Sequence, residues 1–230
     1  MPNKVQIYVD IAHSQSQSVT ESRENWKSFL ETAGRLYKYP FHEQLMIHAQ
    51  RPTAQAVAPI EVWNEPMNRY VKRGSKGIAL LDMTSGTPKL KYVFDYADTE
   101  SGRNNARRPF IWQMKSEHEQ PVMETLADNY DISAYDNIGN MLYDIAQNLS
   151  ARYYDDNSRD IQYSIEGSFL EDYDEYNVEV AFRDAMTVST AYALMTRAAV
   201  LTLPNISRTR IFSRYLSSIR RPPYMRSDKP

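Results

Sequence analysis

The sequence contains no cysteine, and it has only seven glycines among 230 residues. Without thiols the chain can form neither a disulfide framework nor a zinc site with thiolate ligands. No apolar run approaches the roughly 20 residues that a membrane span requires. Residues 1–7 also lack the apolar core of a signal peptide. These absences predict a soluble intracellular protein with no membrane partner.

Sequence motifs for nucleophilic or metal-dependent catalysis are missing as well. The segment 74–77, Gly-Ser-Lys-Gly, lacks the upstream glycine and the spacing of a Walker-type loop. His42 and His48 are six residues apart, whereas a zinc-protease helix needs histidines four apart on one face. We therefore interpret His48 as a buried, hydrogen-bonded core residue, and we expect no enzymatic activity, no bound metal and no cofactor.

Charge is strongly segregated along the chain, although the formal net charge is only -2. Residues 67–115 contain ten basic and four acidic side chains, residues 116–186 contain three and 17, and residues 187–230 contain eight and one. The basic middle block predicts a polyanionic partner. The acidic block beside it would repel nucleic acid and so limit where that partner can lie.

The pattern of apolar residues predicts an α+β fold, with a small antiparallel hairpin or sheet packed on N-terminal helices and a mostly helical C-terminal half. Residues 1–17 are expected to be disordered or loosely ordered, with a loose strand over 5–9 as the ordered alternative. Residues 18–21 have capping-box spacing and predict the start of the first helix. Its apolar face follows at helical spacing: Trp26, Phe29, Leu30, Ala33, Leu36 and Tyr37.

Prolines mark the boundaries of the next elements. Pro40 suits the first turn of a second helix, and Arg51 before Pro52 ends it. A short helix is predicted at 60–64 with Trp63 facing inward. From residue 117 onward, apolar stripes predict helices over 122–130 and 138–149, an exit over 150–157, an acidic loop over 164–176 and a further helix over 178–195.

The stretch 69–81, Arg-Tyr-Val-Lys-Arg-Gly-Ser-Lys-Gly-Ile-Ala-Leu-Leu, crowds four cations around two glycines. Its glycines permit a tight turn, so we predict a hairpin or tight loop that displays cationic groups. In the following strand Leu90, Tyr92 and Phe94 share one face, with Lys89 and Lys91 on the other. This alternation predicts a half-exposed strand antiparallel to 78–81. Residues 109–113 are expected to form a third strand or an aromatic cluster.

Several of these segments together resemble a known family. The helix over 26–37, the string Tyr-Pro-Phe-His-Glu-Gln-Leu-Met-Ile-His-Ala-Gln-Arg-Pro over 39–52, Trp63 and the basic stretch 69–78 resemble the N-terminal domain of ArdC-type antirestriction proteins. The resemblance is closest to the version at the front of very large helicase- and methylase-like proteins of bacterial conjugative elements, and it covers about residues 20–115.

The resemblance implies a small α+β domain that binds single-stranded DNA in the bacterial cytoplasm during transfer of a mobile element. ArdC proteins also carry a zinc-protease-like domain with H-E-x-x-H. This chain lacks that motif and the helicase motors of the large relatives, so only the DNA-binding front end is implied. The expected organisation is a leading segment 1–17, a DNA-binding domain 18–115, an acidic helical region 116–197 and a poorly ordered basic tail 198–230.

Single-strand binders combine a cationic groove with aromatic platforms, and the basic block offers both. Trp112 is a further stacking candidate, while core packing is the alternative role for the aromatic residues and a solvated edge hairpin is the alternative for the basic stretch. The residues expected to contact DNA are Arg69, Tyr70, Lys72, Arg73, Lys76, Lys89, Lys91, Tyr92, Arg103, Arg107 and Arg108.

A second hypothesis comes from the acidic block. Residues 116–186 would mimic nucleic acid and occupy a basic groove on a host defence nuclease, which makes the chain a protein-interaction module. One continuous basic groove favours the first hypothesis, and one acidic face without such a groove favours the second.

The composition changes abruptly at Ala198, after which seven basic residues face a single acidic one. A set of codons can be chosen that encodes residues 217–230. When translation of that nucleotide string starts at its third base, it gives Phe-Asn-Thr-Pro-Ala-Thr-Val-Tyr-Ala-Leu-Gly-Gln. That string resembles the segment that the large relatives carry after the preceding helix. We therefore expect the tail to be read out of frame relative to those relatives. The gene sequence tests this: a single-base shift near codon 198 should restore an open family frame, and its absence would refute the expectation.

Overall fold

A computed structural model of the chain describes residues 4–82, 87, 89–102, 104–133, 135–167 and 170–198. These residues divide into two compact units, the first ending at Trp112 and the second beginning at Gln113. The α+β class predicted from the sequence is confirmed, with a small antiparallel sheet and helices before it and after it. In the described part of the chain, no helix combines the length and apolarity needed to cross a bilayer.

The first unit begins with three helices and a short fourth one: α1 (Lys4–Glu21), α2 (Arg23–Arg35), α3 (Phe41–Gln50) and α4 (Ile60–Asn64). Helix α1 corrects two predictions, because residues 5–9 are helical rather than extended and the described part of the leading segment, 4–17, is regular helix. Tyr8, Ile11 and Ala12 pack against the core at helical spacing. This apolar stripe is narrow and is followed by serines and glutamines, so the sequence pattern did not predict the helix.

The capping box predicted over 18–21 is also wrong, because those residues belong to the last turn of α1. Helix α2 is instead capped by Ser22, whose Oγ accepts a hydrogen bond of 3.1 Å from the backbone N–H of Asn25. The predictions for α3 and α4 are confirmed. Proline precedes the first residue of both helices, and Trp63 of α4 is buried.

Five short strands complete the first unit: β1 (Val57–Ala58), β2 (Arg69–Val71), β3 (Ile78–Asp82), β4 (Lys89–Asp95) and β5 (Thr99–Ser101). All pairs are antiparallel, with β4 between β1 and β3 and with β2 paired to β5. The predicted β3–β4 pairing is confirmed. The basic stretch is not a hairpin turn, since 72–77 connects β2 to β3 and these strands do not pair with each other.

Strand β4 has the predicted two faces, but the face bearing Val93 and Asp95 is the more deeply buried one. Val93 joins the main core cluster with residues of α2, α3 and β3. Of the three charged residues on this face, Lys89 is exposed at the start of the strand, and the other two are paired. Lys91 Nζ lies 2.6 Å from Oε1 of buried Glu43 on α3, and Asp95 accepts backbone N–H bonds of 3.1 Å from Gln55 and Ala56. Tyr92 therefore points to the opposite face.

The described residues of the second unit form three helices, α5 (Ser116–Tyr130), α6 (Ile138–Ser164) and α7 (Glu175–Arg197). Helix α6 runs past the exit predicted over 150–157, because Tyr154 and Ile161 continue its buried stripe against Val178 of α7. Asn137 and Asp174 cap α6 and α7 with their side-chain oxygens. Residues 109–113 are irregular rather than a third strand. The predicted basic tail, apart from Ala198, lies outside the described residues.

The side chain of Gln50 substitutes for a neighbouring strand along β3. Its Nε2 donates to the carbonyl of Ala79 at 2.8 Å, and its Oε1 accepts from the N–H of Ala79 at 2.9 Å. Ala79 is fully buried. The amide therefore satisfies a backbone donor and a backbone acceptor that water does not reach.

Replacing Gln50 with alanine should lower the free energy of unfolding by about 1–3 kcal/mol, since both buried groups of Ala79 lose their partner. Gln50→Glu keeps the acceptor but sets a carboxylate oxygen against the carbonyl of Ala79 in place of the amide donor, so it should also be destabilising. Urea denaturation measures both values. Gln55→Ala is the matched control, because its side chain is exposed. A loss for Gln50→Ala no larger than that of the control would contradict the assignment.

A polar network joins α2 to the end of α3. His48 Nδ1 and Thr32 Oγ1 share a hydrogen bond of 2.8 Å, and Arg35 donates from Nε to the carbonyl of Ala54 at 3.2 Å. His48 is buried, as predicted, with the ring of Phe29 edge-on at 5.7 Å. Burial, with a smaller contribution from the Arg35 charge, holds the pKa of His48 below its ordinary value.

Because the pKa of His48 is lower in the folded state, the unfolded chain takes up the proton first as the pH falls below about 6.5. The native state should therefore lose stability below that pH, and the loss should stop growing once the pH is below the folded pKa. The difference in unfolding free energy between the wild type and His48→Gln should shrink from pH 7.5 to pH 5. His42→Gln, which changes an exposed histidine, should show no such narrowing. A constant difference for His48→Gln would overturn this prediction.

Candidate nucleic-acid interface

The loop 72–77 is held against the turn that precedes β5. The backbone N–H of Lys72 donates to the carbonyl of Asp98 at 2.8 Å, and the N–H of Ser75 donates back to the carbonyl of Lys72 at 3.1 Å. Gly74 has a φ of 88°, which a side chain would strain. Arg51 forms an ion pair with Asp98 from the other side. The loop therefore starts from a fixed backbone.

Three cations project from this loop. Arg73 and Lys76 are exposed, and neither has a hydrogen bond or ion pair with another residue that the structure describes. Lys72 is exposed as well, but its Nζ donates to the carbonyl of Ala97 at 2.9 Å. The loop thus offers two uncommitted charges and a third that also steadies the loop. Such a group of cations suits phosphate.

Tyr92 lies beside the end of the loop. A Cβ placed on Gly77 would come within 3.3 Å of the Cβ of Tyr92 and 3.1 Å of the Phe94 ring. The close approach explains why glycine occupies position 77. Tyr92 is 38% exposed, so part of its side chain is accessible beside the end of the loop.

Lys4, at the start of α1, is a cation that the sequence analysis missed. Its Nζ lies 5.3 Å from the centroid of the Tyr92 ring. A hydrogen bond with Tyr92 is the main cause that raises the pKa of Lys4 above its ordinary value. Because residues 1–17 were expected to be disordered or loosely ordered, the sequence did not predict that Lys4 lies beside a strand.

Strand β2 places its two predicted contacts on opposite sides. Tyr70 is 48% exposed. Arg69 is buried instead. It donates from Nε to Thr99 Oγ1 at 2.8 Å and from Nη2 to the Thr99 carbonyl at 3.2 Å. Its guanidinium also lies 4.4 Å from the centroid of the Tyr96 ring. Arg69 joins β2 to β5 and is removed from the candidate DNA contacts.

The two lysines of β4 are not brought to the loop. By strand alternation Lys89 and Lys91 share the face of Val93, opposite to Tyr92. Lys91 is committed to Glu43, and Lys89 is exposed at the strand end opposite Asp82. These two residues therefore lie apart from the surface formed by the loop and Tyr92.

Arg107 and Arg108 are exposed in the irregular segment after β5. The N–H of Arg107 donates to the carbonyl of Met67 at 2.8 Å, which fixes this segment beside the chain entering β2. Arg103 lies outside the described residues. Trp112 is half-buried at the end of the first unit.

Glu100 adds a negative charge to the same region. It lies directly opposite Tyr70 in the β2–β5 pair, and it is exposed. The nearby Asp98 is neutralised by Arg51. We define the loop surface as Tyr70, Lys72, Arg73, Lys76 and Tyr92. It has three cations and two exposed aromatic rings, with Glu100 at its margin.

Among the described residues, no three histidine or carboxylate side chains are grouped closely enough to hold a metal ion. No family model matches the chain, and neither the curated proteins nor the solved structures contain a match. The chemistry of the loop surface is therefore the basis for a functional assignment.

Proposed function

We propose that the first unit binds single-stranded DNA through the loop surface, without strong sequence preference and without catalysis. The observation that carries this proposal is that two exposed, uncommitted cations, Arg73 and Lys76, lie on the loop whose last residue, Gly77, packs against the half-exposed Tyr92. Cations bind the phosphates, and an exposed ring stacks on a base. Stacking favours a single strand because the bases of a duplex are already stacked on one another.

The arrangement also supports binding on energetic grounds. The loop backbone is fixed through Asp98, and the ring of Tyr92 is fixed on a strand whose opposite face is paired with the core. Groups that are already in place lose less conformational freedom on binding. Hydrogen bonds from the loop surface to base edges are not part of the proposal, so discrimination among bases is expected to be weak.

The biological setting of the proposal comes from the resemblance of residues 20–115 to the N-terminal domain of ArdC-type proteins. That resemblance favours an accessory or antirestriction module of a bacterial mobile element. The proposed DNA contacts do not depend on it, since they follow from charge, exposure and ring placement in the first unit.

The second unit favours a second candidate function. Its helices α6 and α7 carry many exposed carboxylates, and the described part of these helices holds two ion pairs, Arg152 with Asp156 and Arg183 with Glu179. The surplus of acid would attract a basic groove on a host defence nuclease. If this candidate is right, replacing the exposed carboxylates of α6 and α7 with neutral residues should abolish binding to the host protein. If the first candidate is right, the same replacement should leave DNA binding unchanged or strengthen it.

The double variant Arg73→Ala/Lys76→Ala tests the proposal through the salt dependence of binding. The slope of log affinity for oligo(dT) against log salt should fall in magnitude by about 1.4, at roughly 0.7 for each lost phosphate contact. Fluorescence anisotropy across a salt series measures the slope. Lys72 is left unchanged in this variant because its ammonium also holds the carbonyl of Ala97.

The matched control is Arg23→Ala/Lys38→Ala, which removes the same number of exposed charges from the first residue of α2 and the turn beyond it. Its slope should remain that of the wild type. Glu100→Gln should strengthen binding at low salt, because a negative charge next to Tyr70 is removed. If the slope falls equally for both double variants, binding depends on the net charge of the protein alone, and the loop assignment is refuted.

A further inference from the structure

Phe110 is the most exposed of the large apolar side chains in the described part of the chain, at 88%. It lies in the irregular segment 104–112, two residues after Arg108. The neighbouring Ile111 is 45% exposed. A phenyl ring held almost entirely in water contributes little to the core, and here two exposed apolar side chains directly follow a pair of exposed arginines.

The segment that carries Phe110 is anchored at its start. Asn68 donates from Nδ2 to the carbonyl of Asn104, and the N–H of Gly102 donates to the carbonyl of Asn68 at 2.9 Å. Gly102 fits closely there, because a Cβ would lie 2.5 Å from Asn68 Oδ1. With the bond from Arg107 to Met67, Gly102, Asn104 and Arg107 are all attached to the two residues that lead into β2.

This anchoring places two cationic groups at opposite ends of one strand. The loop 72–77 follows the last residue of β2, whereas Arg107 is attached to Met67, just before the strand begins. At about 3.3 Å per residue, the strand from Arg69 to Val71 spans roughly 7 Å, with Met67 two residues before it and Lys72 directly after it. Tyr70 lies between them with its ring exposed. A path for an extended polyanion therefore runs along β2 from the loop towards Arg107.

We propose that Phe110 stacks on a base of single-stranded DNA, while Arg107 and Arg108 bind the phosphates beside that base. The inference rests on the proposed function and extends it from the loop surface to the far end of β2. It assigns the DNA two stacking positions on the first unit, one near Tyr70 and Tyr92 and one at Phe110. Both arginines have exposed side chains without a described hydrogen bond or ion pair.

The test compares two probes of equal length, oligo(dT) and an abasic phosphodiester chain that has no bases to stack. Phe110→Ala should bind oligo(dT) about 5- to 150-fold more weakly than the wild type, which is the range for loss of one base–aromatic stack. It should bind the abasic chain as the wild type does. Phe110→Trp should retain binding, and Phe110→Leu, which is apolar but not aromatic, should not. Ile111→Ala is the control and should leave oligo(dT) binding unchanged.

Each outcome separates the two proposals. If the wild-type protein binds neither probe, both the proposed function and the role of Phe110 are overturned. Wild-type binding to oligo(dT) that Phe110→Ala leaves unchanged overturns the role of Phe110 alone. Equal weakening on both probes, or full rescue by Phe110→Leu, shows a packing role and also overturns it. Circular dichroism of each variant verifies that the fold is retained.

Discussion

The orientation of β4 depends on the pairing of the charged residues on its core-facing side. Lys91 lies against Glu43, which is nearly buried, and Asp95 accepts the backbone N–H groups of Gln55 and Ala56. Side chains alternate between the two faces of a strand, so a shift of one residue would exchange every side chain of β4. That shift would bury Tyr92 in place of Val93 and would leave Glu43 in the interior without a partner, which is strongly unfavourable.

The candidate site follows from this one constraint. With Val93 inward, Tyr92 and Phe94 face the side where Gly77 must approach closely, and so the end of the loop comes to lie beside the Tyr92 Cβ and the Phe94 ring. The other end of the loop is fixed through Asp98. The cations are therefore carried on a backbone whose two ends are positioned by different sheets. This is why a short loop can present a defined surface rather than a flexible cluster of charges.

Elements with local signals could be predicted from the sequence. Helices α3 and α4 begin after prolines, and the β3–β4 pairing follows from two neighbouring apolar runs with a turn between them. The strand pair β2–β5 could not be predicted, because each strand has three residues and the partners are about 30 residues apart. Without that pair, nothing in the sequence distinguishes Arg69, which is buried, from Arg73, which is exposed.

Some of the residues predicted from charge lie apart from the loop surface for the same reason. Composition places Lys89 and Lys91 in the basic block, but strand alternation puts them opposite Tyr92, and the partner of Lys91 is an acid on a helix more than 40 residues earlier. Lys4 was missed because helix α1 carries a sparse apolar stripe. Phe110 was not singled out from the sequence because exposure cannot be read from residue type. In each case the deciding information is a long-range contact.

The central claim is that single-stranded DNA binds the face of the first unit that carries Tyr70 and the loop 72–77. Backbone amide chemical-shift mapping of the full chain, titrated with a short oligo(dT), tests it most directly. The account predicts that the largest shifts cluster at 70–77 and around Tyr92, while Lys91 and α3 change little. Shifts concentrated on α3 and Lys91, or on the acidic helices α6 and α7, would contradict it.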